Sequence, residues 1–178
     1  MNALTNEKVG NYLNDHFVSS FQKVGTFRVV NGQKQGGNVA SYFCLPDGTI
    51  LHIVTGPVDA ETLLREARWV VDNRKLAVTL SRGSYAKYRS FFRKAHTERL
   101  HQEYRLDIDP QQLADESPVL PVSGPTFAAL RQQKGVSSQA LAHLLLAAFP
   151  LAKVDQAYRV VFESILGEKV STLPVVMK

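Results

Sequence analysis

Three observations predict an α/β fold for this chain of 178 residues. Asn38 to Asp72 reads without a break as strand, tight turn, strand, loop and amphipathic helix. A positively charged helical stretch follows, and the last third carries short helical patterns separated by Gly and Pro. The expected organisation is an α/β core over 1–80, a basic amphipathic helix with its connection over 81–109, and a small helical region with an extended tail over 110–178.

Each element has a local reason. Thr5 or Asn6 caps a first helix running to about Asn14, with Val9 and Leu13 four residues apart on one face. Phe17 to Val24 reads as a strand, Phe27 to Val30 as strand or loop, and Asn31 to Gly37 as a polar, glycine-rich connection. Val39 to Leu45 and Thr49 to Val54 are antiparallel strands joined at Pro46-Asp47-Gly48, where proline fixes one φ and the next two residues tolerate turn geometry. Gly56-Pro57 ends the hairpin, and Asp59 caps a helix whose core stripe is Leu63, Ala67, Val70 and Val71.

Leu76 to Leu80 reads as a short strand or an extended connection. Ser84 to Tyr104 is helical, with Tyr85, Tyr88, Phe92 and Ala95 on its apolar stripe. The composition from Asp107 to Pro125 is that of a loop. Short helices follow over 126–134, 138–149 and 151–166, ended respectively by Gly135, Pro150 and Gly167, before an extended tail.

Composition narrows the classes. A chain of this size buries roughly 70% of its unfolded surface and needs no disulfide to fold. No apolar run approaches the ~20 residues that span a bilayer. The N-terminus lacks a basic n-region and an apolar h-region, so a cytoplasmic location is the expectation. The formal charge is +5, and the one cysteine, Cys44, excludes an internal disulfide and any paired-thiolate metal or redox centre. Nine Lys/Arg stand against Glu98 and Glu103 between Arg74 and Arg105, so attraction to an anionic partner resides there.

At YFCLPDGTILHIVTG followed by DAETLLREARWVV, the chain resembles the C-terminal half of thioredoxin-like domains. NEKVGNYLNDHFV is similar to the end of their first helix running into a central strand, so the resemblance covers roughly residues 6–72. It implies a thioredoxin-like core incomplete at its N-terminus, its sheet completed by another segment such as Thr172 to Met177 or left with an open edge for association. The family's paired cysteines are missing. Its cis-proline aligns with Val39, where a cis bond would cost roughly 2.5–4 kcal/mol. The resemblance therefore implies a redox-inactive domain that binds proteins or peptides, and self-associates, rather than an enzyme.

The chemistry-bearing residues have bland readings beside sharp ones. Cys44, amid aromatics on a strand, reads as a small core hydrophobe before it reads as a reactive thiol. Gly32 to Gly37 has phosphate-loop spacing without the lysine. His96 and His101 lie about 140° apart on a helix and cannot share a metal. His52 faces opposite to Leu51 and Ile53, either exposed or met by a cross-strand partner. Asp107 and Asp109 form a DxD with nothing to complete a cation's shell, and no G-x-S-x-G surrounds Ser84. No catalytic, cofactor-binding or metal-ligating residue is assigned, and no cofactor is expected.

Arg82, Lys87, Arg89, Arg93, Lys94 and Arg99 alternate with Tyr85, Tyr88, Phe91 and Phe92, the mixture of cations and flat rings that nucleic-acid binders use. The same residues read first as a solvated amphipathic helix or an acidic-protein docking face. Nucleic-acid binding through 82–99 is thus the alternative function. A third is a thiol oxidoreductase whose cysteine motif lies upstream of this chain.

Overall fold

The computed structural model describes residues 3–22, 24, 28–30, 33–35, 38–107, 109 and 135–170. The helix expected over 126–134, most of the loop before it and the extended tail lie outside these residues. Among the described residues the protein is mixed α/β and mostly helical, with two separate two-stranded antiparallel sheets. None of its described helices is long and apolar enough to cross a membrane.

A 3-10 turn (Ala3–Thr5) leads into α1 (Glu7–His16). The Asn6 side chain accepts from the amides of Lys8 and Val9, satisfying two donors that a helix start leaves without partners. The strand expected from Phe17 is absent: residues 17–22 are irregular, and Val18 and Phe21 are fully exposed. Apolar alternation alone does not make a strand, because the ladder needs a lateral partner. Strand β1 (Arg28–Val30) pairs with β2 (Gln33–Gln35), so part of the supposed glycine-rich connection is itself a strand.

Strands β3 (Ala40–Cys44) and β4 (Ile50–Thr55) form the expected hairpin. Gly48 supplies the turn's left-handed residue at φ 78°, and the Asp47 carboxylate accepts from the Thr49 amide. The register slips between Phe43, opposite His52, and Cys44, opposite Ile50, so Leu51 is the extra residue of a β-bulge. Every side chain of β4 is buried. Ile50 and Ile53 join one core cluster with α3 and the C-terminal helices, whereas Leu51 and Val54 join a second with α1, α2 and Phe92.

Helix α2 (Ala60–Ser81) starts at Asp59, whose side chain accepts from the Thr62 amide. It continues straight through Leu76–Leu80, which is neither strand nor connection. No Gly or Pro interrupts it before Arg82 and Gly83, both at positive φ, and its buried stripe simply extends to Ala77 and Ser81. Helix α3 (Tyr85–Tyr104) is capped by Ser84. Phe92 and Ala95 are buried as expected, but Tyr85, the first residue of the helix, is exposed.

Helix α4 (Ser138–Ala148), capped by Ser137, is buried from Ala140 to Ala147 and packs against α3 and β4. Helix α5 (Val154–Arg159) passes into a π-helical turn over Val160–Ile165. The Lys153 ammonium reaches the Asp47 carboxylate and the Thr49 hydroxyl, and the Ile50 amide donates to the Ala152 carbonyl. The C-terminal helices are thereby pinned to the hairpin.

Candidate functional site: a buried histidine cluster

The three imidazoles of His52, His96 and His143 meet in the interior where β4, α3 and α4 converge, and each is essentially solvent-free. One nitrogen from each ring lies within 4.8 Å of the other two. The supporting side chains sit at helical spacings. Glu66 and Trp69 are i, i+3 on α2; His96, Arg99 and Glu103 are i, i+3, i+7 on α3; Gln139 and His143 are i, i+4 on α4. Each helix therefore turns two or three of these side chains toward the cluster without losing its apolar stripe.

The hydrogen bonds fix the protons. His96 Nε2 lies 3.0 Å from the carbonyl of Leu51, an acceptor only, so this nitrogen carries the hydrogen. Neutral His96 then presents a lone pair at Nδ1, which accepts from His143 Nδ1 at 2.9 Å. His143 Nε2 is left to meet the Gln139 amide at 3.5 Å, a long contact, because that amide's main engagement is the Ile53 carbonyl at 2.7 Å. His52 Nε2 donates to Glu66 Oε2 at 2.9 Å. Its Nδ1 is buried with no hydrogen-bond partner among the described residues.

The β-bulge has a direct part in this. It removes Leu51 from the cross-strand pairing, and the Leu51 carbonyl is the group that orients His96. A slipped register next to a polar site is a common use of a bulge, since it re-aims one backbone group.

Electrostatics keep the rings neutral. Burial is the first cause lowering the pKa of His52, His96 and His143, and the Arg99 guanidinium lowers all three further. For Glu66 burial alone acts upward, but hydrogen bonds from His52 and Arg99 outweigh it and hold the carboxyl well below its usual range. Arg99 grips both Glu66 oxygens with a guanidinium fork, also binds Glu103, and lies 5.0 Å over the Trp69 ring. The Trp69 ring in turn sits 5.0, 5.3 and 6.4 Å, centroid to centroid, from His52, His96 and His143.

Comparison with protein families, with curated proteins and with solved structures returned no match. The chemistry of the site therefore has to be argued from its own geometry. Three converging imidazoles, two of them held at one nitrogen by a carboxylate and a backbone carbonyl, resemble the arrangement in which histidines ligate metal ions.

The residues singled out from the sequence are placed differently. His52 is neither exposed nor held across the hairpin, because its partner comes from α2. His96 and His101 point apart, as their spacing requires, but His96 belongs to the cluster and His101 pairs with Asp107 at the surface. Arg82 and Lys87 are exposed, and Lys94 pairs with Glu98. Arg93 donates to the Ala147 and Ala148 carbonyls, and Arg99 is turned inward. The proposed cationic row is thus not one surface: Arg99, taken as a partner contact, is interior because Glu66 offers it a buried carboxylate.

Cys44, at the end of β3, is half-buried and its thiol is pushed up to about 11, first by burial and then by the Asp47 charge. His143, Glu66, Trp69 and Gln139 went unnoticed as site residues. A usable signal existed in ILHIVT and ALAHLLLAA, each a histidine inside an otherwise apolar run.

Proposed function

We propose that this protein is a transition-metal-binding domain whose ligands are His52, His96 and His143. One observation carries the reading: three buried imidazoles converge while His52 Nε2 and His96 Nε2 already donate to Glu66 and Leu51, and His52 Nδ1 is buried with no hydrogen-bond partner among the described residues. An orphaned lone pair in a dry interior is costly, and a coordinated cation would satisfy it. The bland alternative is a hydrogen-bonded core network; it accounts for His96 and His143 but leaves His52 Nδ1 unexplained.

Three His ligands reaching across β4, α3 and α4 would tie together segments distant in sequence. The contribution is structural in the first instance, since all three rings are sealed from solvent. The test is titration of metal-stripped protein with Zn2+ and with copper, followed by calorimetry and thermal melting. Saturation at one equivalent with a rise in melting temperature supports the reading. No uptake of either ion overturns it.

The interaction-module reading has a separate support. Among the described residues β3 pairs with β4 alone, which leaves an edge where an extended peptide or a second copy can add a strand, as a thioredoxin-like core without its cysteines would allow. Dimerisation in sedimentation, abolished by Ala40→Pro, whose amide faces that edge, is the expected result. The nucleic-acid reading is left with the exposed Arg82, Lys87 and Lys94 and would require affinity that falls steeply with salt.

A further inference from the structure

We infer that the ion taken by the histidine cluster is monovalent copper rather than a divalent metal, an assignment that rests on the metal-binding reading above. The ligand set is three neutral imidazoles. Among the described residues the carboxylate behind it, Glu66, is not part of the converging group, and its charge is already met by the Arg99 fork and by Arg65. No anionic ligand is therefore left to offset the charge of the ion. The cost of burying a charge grows as its square, so a divalent ion pays roughly four times the desolvation of a monovalent one in the same dry site.

The fourth side of the site points the same way. Zn2+ holds four ligands and in three-histidine sites takes water as the fourth. Here the indole of Trp69 leans on all three imidazoles, and their exposure is 0, 1 and 0% for His52, His96 and His143. A filled-shell monovalent ion is content with three nitrogens in a plane, and an aromatic ring beside it adds cation–π attraction instead of a vacant position.

Trp69 is the protein's one tryptophan, so its fluorescence reports the site directly. The experiment titrates the full chain, metal-stripped and oxygen-free, with Cu(I) held by a colorimetric chelator, then with Zn2+. One equivalent of Cu(I) is expected to quench the fluorescence and to stay bound against a ~100-fold excess of Zn2+. Cys44→Ser is expected to behave as wild type, because the thiol lies outside the cluster. If Zn2+ displaces the copper, or binds as tightly, the copper assignment fails while the metal reading stands. If neither ion alters the fluorescence nor binds, both fail. If Cys44→Ser abolishes copper uptake, the ion is on the thiol and the assignment is again overturned.

Discussion

Arg99 and Glu66, 33 residues apart in the sequence, form a two-pronged ion pair in the protein interior, and the same carboxylate holds His52. One side chain on α2 thus anchors α3 and orients a ring on β4. Removing either member leaves the other as a buried charge. Glu66→Ala is expected to lower stability by about 3–5 kcal/mol, with a smaller loss when Arg99→Met is added, since the double change removes both charges. Urea unfolding of the single and double variants checks this. A single-variant loss under about 1 kcal/mol would mean that Glu103 and water suffice to hold Arg99.

Metal affinity should respond to the same carboxylate more gently than to a ligand. Glu66→Gln keeps an acceptor near His52 but removes the charge, and is expected to weaken binding ~10–100-fold. His143→Ala should abolish stoichiometric binding. Competition against a chelator of known affinity separates the two, and equal effects would argue that Glu66 is itself a ligand.

Stability of the metal-free protein should fall with acid. The histidine pKa values are lowered in the folded state, so below the unfolded value near 6.5 the unfolded chain binds protons that the folded one does not. Unfolding is then favoured by up to about 1.4 kcal/mol per pH unit for each ring kept neutral. Above that pH the three rings contribute no pH dependence. Urea midpoints at pH 7.5, 6.5 and 5.5 measure the slope, and His143→Leu should reduce it. A flat profile would place the rings in water.

The turn makes a separate demand. Gly48 stands at φ 78°, and a Cβ added there would meet Val154 at an ordinary 3.7 Å, so the penalty of Gly48→Ala is conformational rather than steric. A loss of about 1 kcal/mol is expected from the left-handed geometry alone. Neighbouring Asp47 is held at about 2 by the hydrogen bonds from Lys153 and Thr49, so what it contributes is present above its unfolded value of 3.8 and disappears as pH falls toward 2. Thermal melts of Gly48→Ala and Asp47→Asn at pH 7, pH 3 and pH 2 resolve the two effects: the Gly48 deficit should not depend on pH, whereas the difference between the Asp47 variant and wild type should be largest at pH 7, smaller at pH 3 and smallest at pH 2.

Cys44 should react slowly. With its thiol held near 11, little thiolate exists at neutral pH, and alkylation by iodoacetamide should lag well behind that of a free cysteine. Rapid labelling of the folded protein would revive a thiol chemistry for this position.

Local signals in the chain were sufficient for what depends on neighbours in sequence. Asn6, Asp59, Ser84 and Ser137 cap their helices through their own side chains, Pro46-Asp47-Gly48 turns the hairpin, and Gly167 follows the last helical turn. These are short-range geometries, set by φ preferences and by donors two or three residues away. The strand expected at Phe17 and the break expected at Leu76 misread the same kind of signal. An apolar alternation cannot tell a strand without a partner from a real one, and a helix with no Gly or Pro in its path has no reason to stop.

Only the tertiary structure decided where the histidines meet. His52, His96 and His143 belong to β4, α3 and α4, and the bonds that join them span separations of 45 positions from Leu51 to His96 and 47 from His96 to His143. A histidine's chemistry depends on which atoms approach within about 3 Å and on how much water is excluded, and neither is encoded by residue spacing when the partners are on different elements. The sequence determined the elements and their polar pairs. Packing of α3 against α4 and the bulge at Leu51 turned those pairs into one site.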